Sequence, residues 1–131
     1  MIDPAPQLSA DIIVLDDSAV LLVQLTDPPD DLDGWRLPGD GLRHGEHPEA
    51  CVRRALKDQV GMEPEVVALA DVESLDGERW QIIFHYRCDA DRRPEAGPSI
   101  SEARFFQLEH LPAMARGPRE RDAIYRAVIG E

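Results

Sequence analysis

Short continuous apolar runs and periodic apolar segments alternate along the chain, a pattern that predicts a domain of mixed strands and helices. Positions 10–25 contain two apolar runs, ADIIVL and AVLLVQL, separated by the turn-forming residues 16–18, DDS. This arrangement predicts a β-hairpin or two adjacent strands. The next stretch, TDPPDDLDG at 26–34, has two prolines, four aspartates and a glycine, and it predicts a surface loop.

A helical period follows a predicted short strand at 35–37 and a glycine-containing turn that runs from Pro38-Gly39 through Gly45. Apolar residues recur at every fourth position, Pro48 suits the first helical position, and Gly61 suits the C-terminal cap. These signals predict a helix over 48–60. Its core stripe consists of Val52, Leu56 and Val60, and at 100° per residue a more polar stripe beside it consists of Cys51, Ala55, Asp58 and Gln59.

The second half of the chain predicts three further strands and a helix. Residues 65–73 and 103–108 have strand composition, and residues 80–88 alternate between an apolar face and a mostly polar face. The polar face of this last strand, which carries His85 and Arg87, can face a cleft. Residues 89–99 predict a loop, and residues 119–129 predict a helix with an apolar stripe of Ile124, Ala127 and Val128. Strands interrupted by one helix and closed by another predict an α/β or α+β domain of two or three layers.

Composition narrows the class of protein further. The 131 residues include 14 basic and 26 acidic residues, a formal net charge of -12, which disfavours binding of bulk nucleic acid through overall charge. The apolar runs are far shorter than the roughly 20 residues that cross a bilayer, and the first eleven residues are unlike a secretory signal. We therefore expect one domain, residues 1–131, located in the cytoplasm and not in a membrane. Cys51 and Cys88 form neither a disulfide framework nor a zinc spacing.

One segment carries a resemblance to a known family. The segment WRLPGDGLRHGEHPEACVRRALKDQVGM, residues 35–62, resembles the Nudix hydrolase signature G-x5-E-x7-R-E-U-x-E-E-x-G-U, where U is a bulky aliphatic residue. Five positions of this register agree: Glu46, Arg54, Leu56, Gly61 and Met62. Four others differ, because Asp40 stands on the first glycine, Ala55 on the glutamate after the arginine, and Asp58 and Gln59 on the glutamate pair. The resemblance therefore implies a degenerate Nudix box at residues 40–62.

The flanking sequence extends the resemblance over roughly residues 10–128. Trp-x-Leu-Pro-Gly before the box, Gly-Glu-x-Pro-Glu-Ala at the helix start and SEARFFQLEHLP at 101–112 are similar to the surroundings of the box in family members. The resemblance implies a Nudix-type α/β/α sandwich, with a mixed sheet, a central box helix (48–60) and a C-terminal helix (119–129). It also implies attack of water on the diphosphate of a nucleoside diphosphate linked to another moiety, with magnesium or manganese held by box glutamates.

The resemblance assigns catalytic positions to Glu46, Arg54 and Asp58. Mg²⁺ takes hard oxygen ligands, and carboxylates at i, i+3 and i+4 share one helix face, but positions 55, 58 and 59 offer a single carboxylate here. Asp58 with Glu46 is thus predicted to hold Mg or Mn weakly, and to do so with substrate present. Plainer roles stay open, since the glutamate and arginine can orient the loop against the helix and Asp58 can be an exposed helix residue.

Substrate binding is assigned to Arg36, His85 and Arg87, with a simple solvated face as the alternative for the two strand residues. The expected partner is a nucleotide-like small molecule, and the sequence does not define an oligomeric state. Three classes of function stay open. They are a hydrolase whose activity is weakened because box glutamates are replaced, an inactive Nudix domain that binds a nucleotide-like ligand, and a protein-interaction scaffold.

Overall fold

A six-stranded mixed sheet lies between two helices in the computed structural model, which describes residues 5–28 and 32–129. This is the predicted α/β/α sandwich. In chain order the elements are β1 (Gln7–Asp16), β2 (Ala19–Leu25), β3 (Gly39–Gly41), α1 (Pro48–Val60), β4 (Ala68–Leu75), β5 (Gln81–Asp89), β6 (Ile100–Gln107), a 3-10 turn (Leu108–His110) and α2 (Pro118–Ile129).

The sheet is divided at β1. Its order is β4-β5-β1-β2-β6, with β1 parallel to β5 and the other neighbours antiparallel. β1 pairs with β2 only beside their turn, at Leu15 and Asp16, whereas its residues 9–11 pair with β3 instead. The segment 36–41 therefore enters the space between β1 and β2, and Arg36 forms a bridge with Val23 of β2. A cleft opens at this division.

Both faces of the central strands are buried over residues 12–15 and 19–23, which explains why these stretches of β1 and β2 are continuously apolar. Ile12 and Val14 of β1 belong to the core cluster under α1. Ile13 and Leu15 belong to the cluster on the opposite face, together with Ile124 of α2. Successive strand residues point to opposite faces, so the strand fills both cores.

Helix α1 confirms the sequence prediction at both ends. His47 caps the first turn, since its Nδ1 accepts a hydrogen bond from the Glu49 N–H at 3.0 Å. Gly61 ends the helix in the left-handed conformation, with φ of 70°. Among core residues, Leu56 has no exposed surface, because its stripe packs on the sheet.

Several boundaries differ from the prediction. β1 begins at Gln7, β4 is shifted to residues 68–75, β6 covers 100–107, and α2 begins at Pro118. Of the predicted loop at 26–34, residues 29–31 lie outside the described residues. Neither α1 nor α2, nor any other helix in the part of the chain that the structure describes, has the length and apolar character to cross a membrane.

The predicted turn at Pro38-Gly39 is in part wrong, because residues 39–41 form strand β3. Gly39 makes the difference. A Cβ atom on Gly39 would lie 2.5 Å from the Ala10 carbonyl oxygen, so only glycine allows this close pairing of the two backbones. The short, glycine-rich sequence had no side-chain alternation by which a strand could be recognised.

Candidate functional site

The loop before α1 is fastened to the helix by Arg54. Its guanidinium donates to both carboxylate oxygens of Glu46 at 2.9 Å and to Oδ2 of Asp40 at 2.9 Å. It also donates to the Gly41 carbonyl at 3.3 Å. We call Arg54, Glu46 and Asp40 the loop–helix clamp. A planar guanidinium suits such a multiple contact because its donors have fixed directions.

The clamp keeps Glu46 ionised and engages the carboxylates of both Glu46 and Asp40. Hydrogen bonds from Arg54, with a further bond from the Arg43 N–H, lower the pKa of Glu46 from 4.5 to about 2. Asp40 also uses its second oxygen, because Oδ1 accepts the Gly41 N–H at 2.8 Å. The two loop carboxylates are therefore engaged in contacts within the loop and with the helix.

Gln59 contacts the loop at a second point. Its Nε2 donates to the Gly39 carbonyl oxygen at 2.9 Å. Its Oε1 is buried and has no hydrogen-bond partner among the residues that the structure describes. The amide therefore provides the positive end of a dipole to a backbone carbonyl, at a box position where the signature has a carboxylate.

These side chains do not fit a resident divalent ion. Glu46 and Asp40 are engaged by Arg54, Ala55 is buried, and the Gly39 carbonyl accepts the Gln59 amide. Asp58 is exposed on the helix surface and outside the cleft lining. Within the described ranges, no group of three or more His, Cys, Asp and Glu is placed to hold a metal ion. Mg²⁺ needs free oxygen ligands in octahedral geometry, which this arrangement does not offer.

A cleft opens beside the box where the sheet divides. It consists of two adjoining cavities of about 520 and 690 Å³ that share three lining residues, Asp11, Arg116 and Glu120. The smaller cavity lies toward the box and is also lined by Arg36 and Gln59. The larger one lies under the N-terminal end of α2, over β4 and β5. Their sizes are those of small-molecule sites.

An imidazole bridges two carboxylates in the floor of this cleft. His85 contacts Asp11 through Nδ1 and Glu73 through Nε2, both at 2.5 Å. Burial alone would lower the pKa of His85, but the bonds and charges of the two carboxylates outweigh it and raise the pKa to about 9. Both ring nitrogens can donate only in the imidazolium form, so His85 is a buried cation at neutral pH.

Glu120 is an incompletely hydrogen-bonded carboxylate of the cleft wall. It lies in the first turn of α2, is 8% exposed, and accepts the Leu37 N–H through Oε2 at 3.2 Å. Its Oε1 is buried and unpartnered within the described part of the chain. Burial, followed by the nearby charge of Asp11, raises its pKa from 4.5 to about 7, although the Leu37 N–H, Arg116 and Arg36 oppose the rise.

The structure brings some of the sequence-predicted residues together and leaves others apart. Arg36 lines the smaller cavity and donates to the Leu32 carbonyl at 2.6 Å, and His85 lines the larger one. Arg87 lies on the same face of β5, but it donates to the Ala127 carbonyl of α2 and lines neither cavity. Glu46 and Arg54 meet in the clamp, and Asp58 lies apart from both.

Sequence reasoning missed the carboxylates on the α2 side, which are Asp11, Glu73 and Glu120. One signal was available, since Asp11 is the only charged residue inside the apolar run at 10–15. A carboxylate in a strand that is buried on both faces needs partners, and this would have pointed to a functional position. Glu120 gave no comparable signal, because acidic residues are common in a first helical turn.

Comparison with known proteins decides the family. A family model of the NUDIX domain matches residues 5–128. The chain belongs to the NUDIX family. This confirms the resemblance drawn from the box, and the family generally uses divalent metal cations.

Relatives of this NUDIX chain include an ADP-ribose pyrophosphatase from Methanocaldococcus jannaschii. It is 31% identical over 116 residues, which cover 84% of this chain and 67% of the relative. Among solved structures, the MutT NUDIX hydrolase from Burkholderia pseudomallei is similar with a TM-score of 0.81 at 20% identity, over 95% of this chain and 99% of that one. The NUDIX domain of Shewanella oneidensis NrtR, complexed with ADP ribose, has a TM-score of 0.73 at 21% identity, over 91% and 86% of the two chains. These structural similarities confirm the fold.

Proposed function

We propose that this NUDIX chain binds a nucleoside diphosphate linked to a second moiety, of the ADP-ribose class, and hydrolyses its diphosphate far more slowly than an intact family member. The observation that carries the proposal is the cleft of two adjoining cavities beside a box that lacks free carboxylates. The cleft supports binding, and the box supports weakened catalysis. The two parts can be tested separately.

The cleft suits a ligand with two ends and a charged middle. Arg36 and Arg116 line the smaller cavity beside the box loop, and guanidinium groups match the geometry of phosphate oxygens. We place the diphosphate near these two arginines. The larger cavity then receives one of the flanking groups. The named activity of the Methanocaldococcus relative and the ADP ribose bound by the NrtR domain support ADP-ribose as the first ligand to test.

Weak hydrolysis follows from the box chemistry. Loss of a positioned base costs about 10² to 10⁴ in rate, and loss of metal ligands removes charge stabilisation as well. Because no resident ion fits, any Mg²⁺ or Mn²⁺ would be held by the substrate's own phosphates, since Arg54 engages Glu46 and Asp58 lies outside the cleft lining. We therefore expect turnover about 10⁴-fold below the 1 to 10³ per second of typical enzymes.

A second candidate function is ligand binding without turnover. The hydrogen bond from Gln59 to the Gly39 carbonyl favours it, because the amide satisfies the loop without a cation. In that case the affinity for the ligand would be the same with chelator as with metal.

Calorimetric titration of ADP-ribose, in chelator and in Mg²⁺ or Mn²⁺, combined with chromatographic detection of released AMP, separates these possibilities. Binding with slow, metal-stimulated AMP release supports the proposal, and metal-independent binding without AMP supports the second candidate. Turnover in the normal enzyme range would show that our reading of the box is wrong. Absence of binding and of turnover would refute the proposed ligand class.

A pair of arginine variants tests the placement of the diphosphate. Arg36→Gln should weaken ADP-ribose binding at least about tenfold, since a charged hydrogen bond to phosphate is lost. Arg92→Gln is the control, because Arg92 is exposed and pairs with Asp91 away from the cleft. If both variants bind ADP-ribose with equal affinity, the diphosphate does not bind in the smaller cavity.

A further inference from the structure

The wall between the two cavities carries a carboxylate oxygen that lacks a hydrogen bond. Glu120 lines both cavities and is 8% exposed. One oxygen accepts the Leu37 N–H, while Oε1 is buried without a partner in the described residues. Buried polar atoms are nearly always hydrogen-bonded, and the exceptions call for a specific explanation. A bound ligand that supplies the missing bond is such an explanation.

The surroundings of Glu120 define what kind of group can supply this bond. Asp11 from β1 faces it with negative charge, and Arg36 and Arg116 face it with positive charge. Its pKa of about 7 means that the carboxyl is largely ionised at pH 8, and an ionised carboxylate only accepts hydrogen bonds. At that pH a phosphate oxygen is disfavoured as its partner, because like charges repel. The partner must therefore be a donor on an uncharged or cationic part of the ligand.

We propose that Glu120 determines ligand specificity, by accepting through Oε1 a hydrogen bond from an N–H donor on the base of the bound nucleotide. The inference rests on the proposed function, since it assumes a nucleotide-like ligand whose diphosphate lies near Arg36. With the diphosphate in the smaller cavity, the base extends past the shared wall into the larger one. An amino group on the edge of the base, as in adenine, has the required chemistry.

Two ligands that differ in a single group test the inference on the wild-type protein. ADP-ribose has a 6-amino donor, and its purine analogue has hydrogen in place of this group. At pH 8 we expect the wild type to bind ADP-ribose about 10-fold to 100-fold more tightly than the analogue, the range for a hydrogen bond to a charged group. Calorimetric titration in chelator measures both affinities without hydrolysis.

The variant Glu120→Gln tests the residue itself. Its amide oxygen can still accept the Leu37 N–H, which leaves an NH₂ donor in place of the acceptor Oε1. We expect this variant to lose the preference for ADP-ribose and to bind the analogue as the wild type does. Asp122→Asn is the control, because Asp122 is an exposed carboxylate on the same helix, and it should leave both affinities unchanged.

The outcomes separate this inference from the proposed function. If the wild type binds ADP-ribose and the analogue equally, Glu120 does not read the base, and the proposed function stands. If the Glu120→Gln preference equals that of the wild type, another residue discriminates between the ligands, and the inference is overturned. If neither ligand binds to the wild type, the proposed function fails and the inference fails with it. The wild-type comparison decides even if the variant does not fold.

Discussion

Glu120 is expected to make the stability of the protein fall as pH rises, and Glu120→Gln should abolish this effect. The folded-state pKa of about 7 lies above the usual 4.5, so between these pH values the folded chain binds a proton that the unfolded chain releases. Stability therefore decreases from about pH 4.5 to about pH 7 and is constant above. The neutral amide has the shape of the protonated carboxyl without its titration.

The magnitude follows from the two pKa values. A tenfold change in proton affinity corresponds to about 1.4 kcal/mol, so the rise from 4.5 to about 7 makes the ionised carboxylate cost the folded state about 3 kcal/mol. We therefore expect Glu120→Gln to raise the free energy of unfolding by about 2 to 3 kcal/mol at pH 8.5, and by less than about 1 kcal/mol at pH 5.

Urea denaturation of the wild type, Glu120→Gln and Asp122→Asn at several pH values between 5 and 8.5 measures these differences. His85 adds a pH dependence of its own, because its raised pKa of about 9 contributes stability below pH 6.5 that is lost as pH rises to 9. This contribution is present in all three proteins, so the quantity to compare is the difference from the wild type. A gain for Glu120→Gln that is independent of pH would refute the reasoning, as would an equal gain for Asp122→Asn.

Three further perturbations test the core and the box. Leu56→Ala should lower the free energy of unfolding by about 2 to 5 kcal/mol, because the side chain is fully buried. The control Lys57→Ala, on the exposed side of the helix, should change it by about 0.5 kcal/mol at most. If denaturant titration gives similar values for the two variants, Leu56 does not lie in the core. Gln59→Glu should lower the free energy of unfolding by about 1 to 3 kcal/mol in chelator, because a carboxylate then faces the Gly39 carbonyl oxygen. Mg²⁺ should restore part of this stability. If thermal melts show an equal stabilisation of the wild type by Mg²⁺, the role assigned to the Gln59 amide is wrong. Arg54→Lys should lower the melting temperature by about 3 °C or more, because an ammonium group cannot reproduce the multiple contacts of the loop–helix clamp. An unchanged melting curve would show that the clamp does not stabilise the fold.

Local signals in the sequence were sufficient for α1 and for the central strands. The start of α1 at Pro48, its cap at Gly61 and its apolar stripe are all properties of neighbouring residues, so its limits agree with the prediction. Glu46 and Arg54 also meet in the clamp, a proximity that the resemblance to the family implied. β4 and β6 are edge strands with fewer packing constraints, so their apolar and polar residues alternate weakly. The sequence therefore did not define the ends of these two strands.

The floor of the cleft could not be predicted because it depends on pairing between distant parts of the chain. Asp11 and His85 are 74 positions apart and meet because β1 and β5 pair in parallel, with these two residues opposite each other. Glu73 joins them through the antiparallel pairing of β4 with β5. His85 could be placed on the polar face of its strand, but its burial could not be foreseen without knowing that α2 covers this face.

The division of the sheet at β1 has a mechanical consequence for the cleft. The segment that fills the division is held on both sides by backbone hydrogen bonds, from Ile12 N–H to the Pro38 carbonyl at 3.0 Å and between Val23 and Arg36 at 2.9 Å in each direction. Widening the smaller cavity at this division would break these bonds, so the sheet fixes its backbone dimensions there. Adaptation to a different ligand must then occur by substitution of the side chains that line the cavity. Such substitutions can change ligand specificity without changing the fold.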